Sequence, residues 1–480
     1  MDKPEYTYDP VPAAGVHGVK GQVWRQFFIA AIANIGMACG GFSMGWTSPV
    51  TLKLTDVNMT DTPLPRPITV AEEAWIGSVL SIGAIIGAII AGPIAARIGR
   101  KWALICGTVP LLSGWVFVAA APTVYYIYVG RILWGAGIGM MFTAVPMYSA
   151  EIATNEWRGA LGSYIQASIT LGVLSMYCIG PYASYRTVAY VGLATLVAFD
   201  VIFFFMPETP FYHLTKNDRE SAAKCLMVLR GQTRAGVEAE LEIMANDVAA
   251  SMSKTATIWD VFKGTNFKAF YISNALIFFQ QFCGINAVLF YMNTIFEAAG
   301  ANLDSSVASI IVGVVQMAAS CVTPFVVDRW GRKALLLWST CGATIALACL
   351  GLFFLLKEQH SPIVGSIGFL PIASLMLFMS ACCTGLGPVP WAVMSEVFPI
   401  EVKAVAAPIC TAFCWILVFI VTGYFGPVSD ALGMYVAFWI FGVCCLAAFF
   451  FVLLCLPETK GKSFSEIQEI LAGNKSPGKA

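Results

Sequence analysis

The sequence predicts an all-α membrane protein with twelve transmembrane helices, arranged as two pseudo-symmetric halves of six and accompanied by intracellular helices. Its composition, the segregation of its charges and a set of repeated motifs support this prediction. Of the 480 residues, 58% are hydrophobic and 12% are charged, which is about half the charged fraction of an ordinary globular protein. So much apolar surface cannot be buried in one core, and the chain therefore needs lipid as part of its solvent.

Long stretches of the chain carry no charged residue. These stretches are 26–52, 74–96, 102–130, 269–296, 305–327, 404–429 and 431–457. Each reaches the roughly 20 residues that cross a hydrocarbon core. Together with the remaining apolar segments they predict twelve spans, at 25–48, 74–96, 102–121, 124–148, 159–181, 185–206, 269–298, 305–328, 333–357, 363–396, 403–425 and 432–456.

Basic residues cluster in alternate loops. The clusters lie at Arg97 to Lys101, at Arg158, between Lys216 and Lys268, at Arg329 to Lys333, at Lys403 and from Lys460 onward. By the positive-inside rule these loops and both termini are cytoplasmic. We therefore expect cytoplasmic tails at 1–24 and 457–480 and an intracellular helical linker at 207–268, in a multi-pass protein of the plasma membrane.

The two predicted halves, 25–206 and 269–456, repeat short motifs in the same order. The pairs are Arg97-Ile-Gly-Arg-Lys101 with Arg329-Trp-Gly-Arg-Lys333, Glu151 to Arg158 with Glu396 to Lys403, and Pro207-Glu-Thr209 with Pro457-Glu-Thr459. Such a repeat predicts two parallel halves related by an axis along the membrane normal. Transporters that rock about a site at the bilayer midplane have this arrangement.

Composition argues against several other classes of function. The formal net charge is zero, so we predict no surface for nucleic acid. All 15 cysteines except Cys225 lie in apolar segments and are interpreted as small packing residues. We find no nucleophile–base pair, metal cluster or phosphate loop, and we expect neither a cofactor nor an enzymatic activity. The run from Gly135 to Gly139 is interpreted as a helix-packing surface.

Several ordered motifs resemble those of the sugar porter family of the major facilitator superfamily. Besides the repeated pairs they include Gln280-Gln-Phe-Cys-Gly-Ile-Asn286 in span seven and Gly385-Leu-Gly-Pro-Val-Pro-Trp391 in span ten. Within the family the chain is similar to animal facilitative hexose transporters, and 41–49 resembles the branch with insect trehalose transporters. The resemblance implies a uniporter, working as a monomer, that moves glucose, another hexose or trehalose across the lipid bilayer by alternating access.

Five amides within apolar spans are the candidate sugar ligands: Gln166, Gln280, Gln281, Asn286 and Gln316. An amide both donates and accepts hydrogen bonds, as a sugar hydroxyl does, and it avoids the cost of about 2.5–3.5 kcal/mol for a charge at the bilayer centre. The resemblance assigns all five to substrate. The alternative is that they form hydrogen bonds between helices.

The resemblance also implies roles for several other side chains. It places Trp391, Trp415 and Ser43 at the substrate site and Phe290 and Tyr291 at an outer gate. An aromatic face suits the C–H face of a pyranose, and Trp391 follows a stretch broken by Gly and Pro. Asn58 begins a glycosylation sequon in the first outer loop.

A second set of charged residues is expected to form ion pairs between the halves at the cytoplasmic side. Its members are Arg97, Glu151, Arg158, Asp328, Arg329, Arg332, Glu396 and Lys403. Such pairs would hold the outward-open state and break when the inner side opens. Simple solvation accounts for Arg100 and Lys101. Ala96 stands where the family has an acid. The ion pairing contributed by the N-terminal half, which we call the N-terminal clamp, is therefore expected to be weaker.

The positions of acidic residues within the spans bear on the energy source for transport. No acid lies between Gln26 and Leu52, where proton-coupled relatives carry an aspartate, and Ser43 occupies the matching position. Without a titratable group facing the substrate, proton and sugar binding cannot be linked. Asp200 in span six is the exception, so proton symport stays an alternative. A non-transporting sugar sensor is the other.

Overall fold

The computed structural model of the chain describes residues 22–58, 60–154, 156–252, 257–300, 303–460, 462 and 464–472, and within these ranges the regular structure is helical. Most of the tail expected at 1–24 lies outside the described residues. The N-terminal half consists of α1 (Val23–Gly45), α2 (Thr47–Thr55), α3 (Val70–Ile98), α4 (Arg100–Ala119), α5 (Val124–Ile152), α6 (Arg158–Ile179) and α7 (Tyr185–Phe204). Here α1 and α2 form span one, which is broken at Trp46.

Three short helices follow: α8 (Pro210–Thr215), α9 (Arg219–Arg230) and α10 (Arg234–Met252). The C-terminal half consists of α11 (Gly264–Phe282), α12 (Ile285–Ala299), α13 (Ser305–Trp330), α14 (Arg332–Glu358), α15 (Leu370–Ala381), α16 (Val389–Val397), α17 (Ile400–Leu432) and α18 (Met434–Cys455), and α19 (Phe464–Ala472) comes last. Span seven is α11 with α12, and span ten is α15 with α16 and the π-helical turn Cys382–Leu386 between them.

All twelve predicted spans are helical. Eleven are long and apolar enough to cross a bilayer, and the exception among the described residues is α6, whose apolar part is Tyr164–Ile179. Span two begins at Val70 instead of 74 because Thr69 and Glu72 form a capping box that starts the helix ahead of its apolar run. The charged residue of this cap therefore shifts the observed start of span two outward from the predicted one.

Glycines bring pairs of helices into backbone contact. A Cβ on Gly135 would lie 1.8 Å from the Leu80 carbonyl oxygen, and one on Gly139 would lie 2.2 Å from that of Ala84. In the same way a Cβ on Gly172 of α6 would lie 2.0 Å from the Ala38 carbonyl oxygen of α1. The interpretation of the 135–139 run as a packing surface is confirmed, since close approach of small residues is what joins helices in lipid.

The two halves are in contact at the end of the bundle away from the termini, which we call the outer end in keeping with the predicted topology. There α3 packs on α17 and α2 on α12. The Ser48 hydroxyl oxygen accepts the Asn293 backbone N–H at 3.0 Å, and the Tyr177 hydroxyl donates to the Leu289 carbonyl at 2.8 Å. Because these hydrogen bonds join one half to the other, the structure represents a state that is closed at its outer end.

Each half has a half-buried carboxylate that caps the helix of its third span. The Glu208 carboxylate accepts the backbone N–H groups of Arg100 and Lys101, each at 3.0 Å. A carboxylate is favourable there because the unpaired N–H groups give a helix N-terminus a partial positive charge. Gly99, the residue before α4, has φ +103°, and a Cβ on it would lie 2.2 Å from Glu208 Oε2.

The C-terminal half repeats this arrangement. Glu458 accepts the backbone N–H groups of Arg332 at 3.0 Å and Lys333 at 3.1 Å, and Gly331 has φ +87°. Partial burial raises the pKa of Glu458, but its backbone N–H partners outweigh burial and the net pKa lies below the usual range. Two motifs that the sequence shows as separate repeats are thus halves of one contact.

We expect Gly99→Ala to lower the free energy of unfolding by about 1–3 kcal/mol or more, because only glycine adopts this backbone conformation without strain and the new methyl would displace Glu208. Gly92→Ala is the matched control in α3, since its Cβ would meet nothing within 4 Å. Thermal unfolding of both variants in the same detergent measures the difference. Equal melting temperatures would show that the Gly99–Glu208 contact is unimportant.

Candidate functional site

A chain of amide hydrogen bonds lies at the break in span seven. Asn286 Nδ2 donates to Gln281 Oε1 at 2.6 Å, Gln281 Nε2 donates to Gln280 Oε1 at 3.3 Å, and Gln280 Nε2 donates to the Gly387 carbonyl at 2.7 Å. All three amide side chains are buried. The chain connects the break in span seven to the segment that follows the π-helical turn of span ten.

Gly284 makes the break between α11 and α12. It has φ +86°, and a Cβ there would lie 2.3 Å from the Phe441 ring. The break places Gln281 at the end of one helix and Asn286 in the first turn of the next, so that their side chains meet. Irregular backbone at membrane depth is tolerated where it is buried in protein or lines a cavity.

Gln166 and Gln316 lie in α6 and α13, which pack on each other at the interface between the halves. One turn beyond each, the hydroxyls of Thr170 in α6 and Ser320 in α13 are hydrogen-bonded at 3.1 Å. Gln316 is 4% exposed, yet its Oε1 accepts no hydrogen bond from the described residues. A buried carbonyl oxygen without a donor is an open position for a hydroxyl group of a ligand.

The aromatic candidates occupy different environments. Trp391 is half-buried in α16, whereas Trp415 in α17 is buried and contacts Phe142 of the other half edge-to-face, with ring centroids 5.9 Å apart. The preceding Cys414 accepts from Gln281 Nε2 at 3.2 Å. Cys414 and Phe142 were missed from sequence, although the adjacency of Cys414 to Trp415 was an available signal.

The structure does not bring the Ser43 side chain to the amide chain. Its hydroxyl donates to the Cys39 carbonyl of the same helix at 3.1 Å, and the residue is fully buried. Asp200 also lies apart from the amide chain, because both its carboxylate oxygens are 2.9 Å from the Thr108 hydroxyl of α4. In this state neither residue contacts the groups that the resemblance assigns to the sugar.

Phe290 and Tyr291 fill the outer end between the halves. They are 0% and 2% exposed. The Tyr291 hydroxyl donates to the Thr422 carbonyl at 3.2 Å, and its ring lies 5.1 Å from that of Phe425. A Cβ on Gly77, in the other half, would lie 3.2 Å from the same hydroxyl. Both aromatic residues are therefore placed where an outer gate would close.

Among the described residues, the ion pairs at the end predicted to be cytoplasmic lie within each half. Arg100 Nε is 2.9 Å from Glu151, whose other oxygen accepts from the Thr209 hydroxyl at 2.6 Å. Arg332 is 2.8 Å from Glu396. The assignment of Arg100 to the solvated charges is wrong, because the residue is 6% exposed. The helix start at Gly99 turns Arg100 inward toward Glu151.

The other basic residues expected at this gate have different positions. Arg97, Arg158 and Arg329 are exposed. Lys403 is half-buried, and its Nζ donates to the Ser395 carbonyl at 3.3 Å. The Asp328 side chain lies outside the part of the chain that the structure describes. In this state the described acids are thus held by the second arginine of each RxGRK motif.

Arg131 in α5 is a buried charge that the sequence analysis missed. It is 0% exposed and donates to the backbone carbonyls of Ile76 at 2.8 Å and Ser43 at 3.1 Å. The signal was available, because an arginine inside a predicted span is a functional candidate by default. Among the described residues, no group of three His, Cys, Asp or Glu side chains is placed to hold a metal ion.

Comparisons with known proteins agree on one family. The model of the family described as "Sugar (and other) transporter" matches residues 53–471 of this chain. A facilitated trehalose transporter, Tret1-2 homolog, of Drosophila simulans is 36% identical over 94% of this chain and 91% of its own. The Tret1 transporter of Polypedilum vanderplanki is 34% identical over 94% and 89%. The Tret1 transporter of Anopheles gambiae is also 34% identical, and the chain spans 56% of its length.

Solved structures show the same fold. The inward-open xylose transporter XylE from E. coli superposes with a TM-score of 0.76 at 24% identity, covering 93% of this chain and 99% of that one. The proton:xylose symporter XylE bound to 6-bromo-6-deoxy-D-glucose gives 0.75 at 24% identity with the same coverage. At this identity the likeness concerns the fold, which is that of the major facilitator superfamily.

We expect Arg100→Ala to lower the free energy of unfolding by about 3–5 kcal/mol, because it leaves Glu151 buried without its counter-charge. Arg97→Ala, three residues earlier on the exposed surface, is the control and should change it by about 0.5 kcal/mol or less. Thermal unfolding of the two purified variants provides the comparison. A larger loss for Arg97→Ala would contradict the assignment of the ion pair to Arg100.

Proposed function

Since this chain belongs to the sugar transporter family, we propose that it carries a neutral sugar across the membrane by alternating access and as a uniporter. The observation that supports this most is the buried amide chain from Asn286 to Gly387, which connects the breaks of two spans. The amide chain contains no charged group, and amides match the hydroxyls of a neutral sugar.

For the substrate we propose trehalose, with glucose or another hexose as the alternative. The support is the name of the relatives that are 34–36% identical over 94% of the chain. Trehalose is uncharged and carries hydroxyls on two rings, so amides can bind one ring while an aromatic face such as that of Trp391 covers the other. The choice between these sugars depends on uptake measurements.

Binding would replace hydrogen bonds between amides with hydrogen bonds to the sugar. In the state described, Gln281 and Gln280 are satisfied by each other and by their neighbours. The net gain from exchanging one hydrogen bond for another is only about 0.5–1.5 kcal/mol. A site that exchanges bonds in this way can bind sugar and still release it, which transport requires.

Release of Gln280 from Gly387 would also remove a hydrogen bond that joins span ten to span seven. We propose that this coupling transmits sugar binding to the broken segment that carries Trp391. At the outer end, opening requires that Phe290 and Tyr291 leave their contacts with the N-terminal half. Rocking of two rigid halves would achieve this with the packing inside each half unchanged.

At the cytoplasmic side we propose that the ion-pair gate works by addition to the pairs already present. Arg100 and Arg332 hold Glu151 and Glu396 in the state described. When the inner side closes, the exposed Arg97, Arg158 and Arg329, together with Lys403 and Asp328, would complete a network between the halves. The weak N-terminal clamp at Ala96 would make this network less stable than in relatives with an acid there.

Uniport is supported by the absence of an acid in span one and by the position of Asp200. The Asp200 carboxylate is bound to Thr108 in the N-terminal half, and a proton there would not contact the amide chain. We further propose a plasma-membrane location with both termini cytoplasmic, a monomeric working unit, domain limits as predicted from the sequence, and a glycan on Asn58, which lies in an exposed turn.

We expect cells that express the chain to take up radiolabelled trehalose saturably, with competition by unlabelled trehalose stronger than by glucose. The same expression vector carrying no insert gives the background. Saturable uptake of glucose that trehalose does not reduce would assign the protein to a hexose. Binding of sugar without uptake of either would support the sensor.

We expect Gln281→Ala to raise the uptake constant by about threefold to tenfold, because it removes one hydrogen-bonding partner and leaves Asn286 without its acceptor. Asn274→Ala is the control within α11, since the Asn274 amide donates to the Phe270 carbonyl of its own helix and to Cys410 Sγ of α17, and has no hydrogen bond to the amide chain among the described residues. Initial rates over a range of sugar concentrations, normalised to surface protein, measure the effect. An unchanged constant for Gln281→Ala would remove the amide chain from the proposed site.

We expect Asp200→Asn to leave sugar uptake into proteoliposomes within about twofold of the native rate, with or without an imposed proton gradient, because proton coupling needs a titratable group linked to the sugar site. Thr108→Val is the control for loss of the local hydrogen bond with the acid retained. Strong acceleration by the gradient that only Asp200→Asn abolishes would establish symport instead.

A further inference from the structure

Arg131 carries a charge into the interior of the bundle, and among the described residues no carboxylate pairs with it. Its guanidinium donates to the backbone carbonyls of Ile76, Ser43 and, at 3.5 Å, Gly77. Guanidinium stays protonated in proteins, so the charge persists in this setting. All three carbonyl partners belong to spans one and two of the same half.

Three aromatic rings complete the surroundings of the guanidinium. Its central carbon lies 6.0 Å from the ring centroid of Trp46, 5.7 Å from that of Trp134 and 5.5 Å from that of Phe290. A cation over an aromatic face is attracted by the ring quadrupole, most strongly where water is excluded. Arg131 and Phe290 are both 0% exposed, so water is excluded from this contact.

The three rings differ in which half they belong to. Trp46 and Trp134 lie in the N-terminal half and pack on each other, with centroids 5.4 Å apart. Phe290 lies in α12, in the C-terminal half. When the halves separate at the outer end, Arg131 keeps its carbonyls and both tryptophans, but Phe290 leaves. The Arg131–Phe290 contact therefore exists in only one of the two states and favours that state.

We propose that Arg131 is a positioning residue of the outer gate and that its cation–π contact with Phe290 holds the outer end closed. The inference rests on the proposed transport function, which supplies the alternation between two states. It assigns a different physical role to each gate residue. Tyr291 is held by a hydrogen bond to Thr422 within its own half and packs against Gly77 of the other half, whereas Phe290 contacts a charge of the opposite half.

Fluorination of the Phe290 ring tests the quadrupole without altering the packing. Ring fluorines withdraw electron density from the face and weaken a cation–π contact progressively, while the ring keeps nearly the same shape. Phenylalanine with one, two or three ring fluorines is incorporated at position 290 of the full chain. The same series at Phe296, a buried ring of α12 with no described cation over it, is the matched control.

The outer-open population is measured by labelling Ser78→Cys from outside with a membrane-impermeant thiol reagent. Ser78 is 2% exposed, and its Cβ lies 3.2 Å from the Cβ position of Gly423 across the seam, so the closed state shields it. The fluorinated proteins without Ser78→Cys give the labelling of the native cysteines. Sugar uptake is measured on the same cells.

We expect the labelling rate to rise with each added fluorine at position 290, reaching on the order of fivefold for three, and to stay flat for the Phe296 series. A flat response at position 290, or an equal rise at 296, would overturn the proposal that the Arg131–Phe290 contact holds the outer end closed. Failure of the transport function and failure of this inference can be told apart. Absence of saturable sugar uptake in cells that express the native protein refutes the transport function, whereas normal uptake with flat labelling refutes only the role of the Arg131–Phe290 contact.

Discussion

Polar groups buried among apolar helices must find their hydrogen-bonding partners within the protein, because lipid offers none. The interior of this bundle is organised by that constraint. The amides of span seven satisfy one another and a carbonyl of span ten, and Arg131 is satisfied by carbonyls and aromatic faces. Several buried polar atoms of the described residues stay without a partner, and one of them, Gln316 Oε1, belongs to a helix at the interface between the halves. The amide chain of span seven is thus satisfied within the protein, while the Gln316 acceptor is left open at the interface where we propose that a neutral ligand binds.

The duplication of the chain has different consequences at the two depths of the bundle. At the end of the bundle that is predicted to be cytoplasmic, both halves have the same arrangement, a glycine with positive φ beside a carboxylate that caps the following helix. At the centre the symmetry is lost, because the amide chain belongs to span seven alone. Stability requirements act equally on both halves, whereas a ligand that is bound mainly by one half needs only one set of strong hydrogen-bonding groups. The repeated contacts therefore maintain the scaffold, and the unrepeated ones distinguish the candidate site.

Much of this architecture was predictable from the sequence, since long apolar stretches and repeated motifs depend on local composition. The twelve helices and the packing role of Gly135 to Gly139 were predicted in this way. Choice of partner was not predictable, because it depends on the direction in which each side chain leaves its helix. The sequence could not show that Arg100 and not Arg97 would face Glu151, nor that Ser43 would bond its own helix. Arg131 was visible but was read only as the end of an uncharged run.

The capping carboxylates also bear on how the chain matures during synthesis. Glu208 lies 108 residues after Arg100, the residue whose N–H it accepts, and Glu458 lies 126 residues after Arg332. Each cap can form only after the ribosome has completed the sixth helix of its half. Until then the third span of that half lacks the carboxylate that caps its first N–H groups. The capping contact of each half therefore forms late in the synthesis of that half, first in the N-terminal half and then in the C-terminal half.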